Sequence, residues 1–169
     1  MNQEFRGIKK IVKLISSESK KMKKKSALVM ITTIRKSKDE FVILPIRRTD
    51  NLVCATVAIC NLRSAKQIVN EFDGKIDYII IDAEQKITGL KNIVKIIIKQ
   101  TSQSEVLTFK SNDSTADATD SLISNLFFIP MDKKIGIIGA GNIGSKVALK
   151  LVERGYDVSL SCRTLKESK

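Results

Sequence analysis

The chain has 169 residues, 43% of them hydrophobic and 28% charged, with a formal net charge of +12, three cysteines and no histidine. That length supports one well-cored domain or a small domain plus part of a second. The missing histidines exclude a His-dependent triad and, with three cysteines at no metal-ligand spacing, a zinc site. The longest apolar runs, such as Ile79–Ile81 and Ile96–Ile98, fall far short of the roughly 20 residues a membrane span needs. The basic N-terminus lacks the apolar core and cleavage site of a secretory signal. A reducing, cytoplasmic setting with three free thiols is the simplest expectation.

Basicity is uneven along the chain. Residues 1–48 hold 14 Lys/Arg against 4 Asp/Glu, a net of +10, and the remainder holds 16 against 14, a net of +2. Few aromatic side chains accompany the lysines, so neither nucleic acid nor a membrane is expected as a partner. Ile8, Ile11, Val12 and Ile15 recur at helical spacing, with Ser16-Ser17 breaking the pattern before the run Lys20 to Lys25. A basic amphipathic helix can lie on a membrane. The plainer reading is that its stripe packs on a neighbouring domain or a second subunit.

Ala27 to Ile34 is apolar and β-branched and predicts a central strand; Phe41 to Leu44, ahead of Pro45, predicts a short edge strand. Arg47 to Asn51 reads as a polar turn. Leu52 to Phe72 reads as a helix, ambiguous in its first half at Thr56-Val57, and Gly74 ends it. Ile76 to Ile81 predicts a strand; Leu90 to Lys99 suits helix or strand, with its length and the Lys91, Lys95, Lys99 spacing favouring helix; and Glu105 to Phe109 predicts a strand. A polar loop at 110–115 leads to a helix from Ala116 to about Phe128. Ser114 or Thr115 is its expected cap, and Asp117 and Asp120 suit its positive end.

The stretch Ile135 to Gly144 is the most specific in the chain. Its apolar residues predict a buried strand, and Gly139, Gly141 and Gly144 then stand at G-x-G-x-x-G spacing. Val147, Ala148, Leu151 and Val152 share one face of the following helix, and Val158 to Ser161 forms a second strand. This order matches the first turn of a dinucleotide-binding βαβ unit, with Gly139, Ala140, Gly141, Asn142, Ile143 and Gly144 as the phosphate loop. The competing reading is a glycine turn that serves packing alone. An NAD site would place a carboxylate near the tip of the second strand, for the ribose 2′-hydroxyl. Cys162, 18 residues after Gly144, stands there instead, followed by Arg163 and Thr164. Without a carboxylate to repel a 2′-phosphate, and with Arg163 to pair with it, NADP is expected over NAD.

Residues 133–164 resemble the cofactor turn of the shikimate dehydrogenases, where an Asn-Arg-Thr triplet occupies the place of Cys162-Arg163-Thr164. They also resemble the methylene-tetrahydropterin dehydrogenases, which share a substrate-domain-first layout. Ala116 to Asp120 is similar to the shikimate group's Gly-x-Asn-Thr-Asp segment at Thr119 and Asp120, though not at its Gly and Asn. The resemblance implies a catalytic aspartate, Asp120, working beside a lysine, Lys86, 34 residues earlier. Lys86 is one of many lysines, and Asp120 can equally serve only to complement a helix end. The expected architecture is α/β: a basic helix and lysine run at 1–26, a small α/β sandwich substrate domain at 27–129, and the first βαβ unit of a Rossmann domain at 130–169. The chain reads as the front part of an NADP-dependent oxidoreductase of a small-molecule substrate, expected to be a homo-oligomer. The alternative is a non-catalytic nucleotide-binding or partner-binding protein with a degenerate site.

Overall fold

The computed structural model describes residues 3–32, 41–84, 90, 92–127, 129–130 and 132–162. The chain divides into two compact units, Met1–Phe109 and Lys110–Lys169. Both are mixed α/β.

In the first unit, helix α1 (Gln3–Met22) precedes strands β1 (Lys25–Thr32), β2 (Phe41–Ile43), β3 (Arg47–Arg48) and β4 (Leu52–Ile59). Helix α2 (Leu62–Phe72), strand β5 (Tyr78–Asp82), helix α3 (Ile93–Gln100) and strand β6 (Glu105–Phe109) follow. The sheet runs β2-β4-β1-β5-β6, with β3 also on β4. Its body is parallel, and only the short β2 and β3 run antiparallel to β4. Leu28 and Met30, Val53 to Ile59 at alternate positions, and Ile79 and Ile81 line one face of this sheet. Against that face pack Ile8, Val12 and Ile15 of α1, Ile68, Val69 and Phe72 of α2, and Ile93 and Ile97 of α3. The opposite-pointing Val29, Ile31, Thr56 and Ile80 are half-buried. Three helices on one face of one sheet make a two-layer unit.

Leu52–Ile59 is a strand, not the first half of a helix. Every second residue from Val53 to Ile59 is fully buried, and between β1 and the β2/β3 edge its β-branched side chains fit a pleated surface. The helix starts only after Asn61, whose side chain accepts from the Ser64 N–H at 2.8 Å. Arg47-Arg48 is likewise paired to β4 and is not a plain turn, and the Thr49 N–H closes the bend onto the Leu52 carbonyl. Helix α1 runs through Ser16-Ser17 unbroken, with the Ser17 and Ser19 hydroxyls donating to the carbonyls three residues back. Its stripe packs on β1, β4 and α2 of its own unit.

The second unit contains helix α4 (Ser111–Leu126), strand β7 (Lys134–Ile138), helix α5 (Asn142–Glu153) and strand β8 (Asp157–Ser161). Strands β7 and β8 are parallel, so β7-α5-β8 is a βαβ unit. Ala116 of α4 shares a small core with Val147, Leu151 and Tyr156. Three ion pairs run along α4 and α5: Asp113 with Lys146, Asp117 with Lys150 at 2.8 Å, and Asp120 with Arg154 at 2.6 Å. Their ascending order shows that the two helices run parallel. The contacts therefore divide the chain at 109/110, with α4 beside α5, whereas the sequence reading placed breaks at 26/27 and 129/130.

Two local expectations change. Helix α4 begins at Ser111, and Ser114 and Thr115 are inside it rather than capping it: their hydroxyls donate back to the carbonyls of Lys110 and Ser111. Strand β7 is not buried throughout, since Ile138 is 96% exposed; Val152 of α5 also faces solvent.

Candidate nucleotide-binding site

The glycine turn joins β7 to α5. Gly139 has φ +112°, a backbone conformation that a side chain at Cα rarely tolerates. Its N–H donates to the Ser161 carbonyl at 2.8 Å, which ties the turn to the tip of β8. At Gly144 the reason for glycine is close approach, because a Cβ there would overlap the Gly139 carbonyl oxygen. Helix and strand meet without a side chain between them, as a dinucleotide turn requires.

Gly141 differs from both. It caps α5 with ordinary extended backbone, and no heavy atom lies within 4 Å of where its Cβ would be. The protein itself does not need glycine here. The open space lies in a cavity of about 480 Å³ lined by Asn112, Gly139 to Gly144 and Cys162. Gly141 at the N-cap has no side chain to cap α5, and the leading N–H groups of the helix have no intrahelical acceptor. These groups and the helix dipole favour an anion at that end. The residues present thus fit the pyrophosphate of a dinucleotide: a bare backbone ledge, helix-end donors and room beside them. Ser145 stiffens the ledge by donating from Oγ to the Ala140 carbonyl at 3.0 Å.

Ala140, Asn142 and Ile143 line the cavity with the three glycines. Asn112 joins them from the first turn of α4; no local pattern signalled it, because that stretch read as loop. Cys162 lies on the cavity wall just after β8, at the place where an NAD site carries its carboxylate. Arg163, Thr164 and Lys86 lie outside the described residues.

Asp120 is placed elsewhere. Its carboxylate is 7% exposed and takes a two-point fork from Arg154, Nε at 2.6 Å and Nη2 at 2.7 Å. The Arg154 hydrogen bond holds its carboxyl below the usual carboxylate range. Arg154 follows the last turn of α5, whereas the glycine turn precedes the first. Twelve residues of helix separate the two, about 18 Å at 1.5 Å per residue. Asp120 therefore ties helices together at the end remote from the phosphate loop, and this placement does not support the expected catalytic role beside the cofactor.

Residues 134–169 match the model of a family described as NADP oxidoreductase, coenzyme F420-dependent. The match begins with β7 and covers the glycine turn, α5 and β8. The match supports a Rossmann-like unit of the NAD(P)-binding kind at this end of the chain. No curated protein matches the chain. One solved structure, an ADP ribosylation factor-like GTP-binding protein (small COPII coat GTPase SAR1) from Encephalitozoon cuniculi with GDP, is similar at 12% identity. It aligns over 96% of this chain and 82% of its own, with a TM-score of 0.35, too low to carry an argument. Among the described residues no helix is long and apolar enough to cross a membrane.

Proposed function

We propose that this chain carries the cofactor-binding turn of an NADP-preferring oxidoreductase acting on a small polar metabolite. The observation that carries the reading is the bare ledge at Gly141, where among the described residues a Cβ would meet no heavy atom, at the start of α5. The family match over 134–169 points the same way. NADP preference is supported by Cys162 in place of a carboxylate, with Arg163 next in sequence as a cation for the 2′-phosphate. A bound nicotinamide would donate or accept the hydride. The chain's own part is to seat the pyrophosphate on the N–H groups of residues 142–144 and so fix the cofactor's position.

The substrate class rests on the resemblance at Thr119-Asp120 and on Lys86 as the group that would hydrogen-bond a substrate hydroxyl. Because Arg154 already occupies the Asp120 carboxylate, no proton-handling role is assigned to it. That occupation favours a second reading, nucleotide binding without turnover. Titrating NADPH and NADH by fluorescence, then assaying turnover against a panel of oxo-acids and pterins, separates the readings. Binding with turnover supports the first and binding alone supports the second. Absence of any binding would overturn both.

A further inference from the structure

The lysine run of the sequence does not lie on an open face. Helix α1 ends at Met22 and the chain turns directly into β1, and this corner forms one wall of a concavity of about 690 Å³ in the first unit. Lys20, Lys23, Lys24 and Lys25 line it together with Lys75, which arrives from the segment between α2 and β5, against a single carboxylate, Asp77. A second hollow of about 330 Å³ shares Ser16, Lys20 and Lys75 with the first and adds Lys13.

The one acidic group is already committed. Asp77 accepts from the Ser26 N–H at 2.8 Å, the Ser26 hydroxyl at 2.7 Å and Lys25 Nζ at 2.9 Å. Lys24 Nζ donates to the Thr49 carbonyl at 2.6 Å, and Lys75 reaches the Glu71 carbonyl at 2.9 Å and pairs with the Glu71 carboxylate at 3.7 Å. Lys20 and Lys23 have no carboxylate within ion-pair reach among the described residues, so their charge is uncompensated. Lys23 adds a second sign. It stands just past the end of α1 with φ +55°, where glycine or asparagine is the usual occupant. The Lys24 N–H reaches back to the Ser19 carbonyl at 2.9 Å, which completes the helix-ending turn. A glycine would close that turn without strain, whereas this chain has a lysine there.

Concave shape selects among anions. A nucleic-acid backbone needs an extended basic track, with aromatic side chains where single strands are held. Here the charge is gathered into a hollow of small-molecule size with serine hydroxyls on its wall. We infer that this concavity binds a small polyanion carrying at least two phosphate groups, held chiefly by Lys20 and Lys23. The lysine run would then be a binding element rather than a solvated tail.

Inorganic tripolyphosphate is a direct probe, titrated calorimetrically into the full chain at low salt. Because the glycine loop also offers a phosphate site, the titration is made in the Gly141→Val background as well. Saturable one-site binding is expected in that background, weakened at least tenfold by Lys20→Gln with Lys23→Gln and weakened steeply by added salt. Lys23→Gly separates charge from folding: it should leave the melting temperature unchanged or higher while weakening tripolyphosphate binding severalfold. Unaltered affinity in these variants, or the absence of saturable binding in the Gly141→Val background, would overturn the inference. So would tighter binding of a 20-base-pair DNA duplex that the same lysine substitutions abolish, since the surface would then be a nucleic-acid track.

Discussion

Arg154 grips Asp120 at two points, 2.6 and 2.7 Å, and so fastens the C-terminal end of α5 to the middle of α4. Arginine and carboxylate match in shape, and the carboxylate is buried while the guanidinium is half-exposed. Together with Asp113–Lys146 and Asp117–Lys150, the fork sets the register of two parallel helices.

Asp120→Asn should therefore behave as a stability variant. Loss of the charge-assisted fork should cost about 1–3 kcal/mol in urea unfolding followed by circular dichroism, with NADPH affinity per folded molecule unchanged. Arg154→Ala should destabilise as well, by leaving the carboxylate without its partner. A variant that keeps full stability yet abolishes turnover would restore Asp120 to catalysis.

The three glycines of the turn should fail in different ways. Gly144→Ala should disturb the fold, because its Cβ has only the Gly139 carbonyl to move into. Gly141→Val should keep the circular dichroism spectrum and melting temperature while losing NADPH binding, since the space it fills is the ligand's. Normal cofactor affinity in Gly141→Val would show that the ledge is not a phosphate site.

Cofactor choice should follow Arg163. Arg163→Ala is expected to weaken NADPH by about 1–3 kcal/mol, the range of a charge-assisted hydrogen bond, and NADH by little. Fluorescence titration of both cofactors measures the difference. Equal losses for the two would remove the 2′-phosphate assignment.

Acid should loosen the first unit through two aspartates. Burial pushes the Asp73 carboxyl up, but the backbone N–H groups of Ser104, Ser102 and Gln103 and the Ser102 hydroxyl outweigh it and leave the pKa at about 2. At Asp77, burial is likewise outweighed by the Ser26 hydroxyl, the Ser26 N–H and Lys25, again leaving a pKa of about 2. In the unfolded chain both return to ordinary carboxylate values, near 3.8. Between those limits the unfolded state holds more protons, so stability falls as pH drops from about 4 towards 2. Asp73→Asn should flatten that slope while lowering stability at pH 7 by about 1–2 kcal/mol, less than full hydrogen-bond loss because the side chain is only part-buried. An unchanged acid slope in Asp73→Asn would show that this carboxylate does not drive it.

The βαβ unit was legible in the sequence because everything that defines it is local. A strand, a glycine turn, a helix and a parallel strand follow within Lys134–Ser161, and each glycine answers to a neighbour only a few residues away. The central β1 and the edge strand β2 were legible for a similar reason, in β-branched composition and in the proline after β2. Leu52–Ile59 was not. Its alanine-rich, apolar pattern suits either a helix or a two-sided strand, and only burial between β1 and β2 decides for the strand. At Asp120 a short motif match says nothing about which charge faces the carboxylate; Arg154, 34 residues away, supplies that answer. The lysine run carried its charge openly in sequence, but its concavity depends on Lys75 and on the end of α1, which only the folded chain brings together. Local backbone chemistry is written residue by residue, whereas ion pairing and burial belong to partners distant along the chain, and so only the tertiary structure decides them.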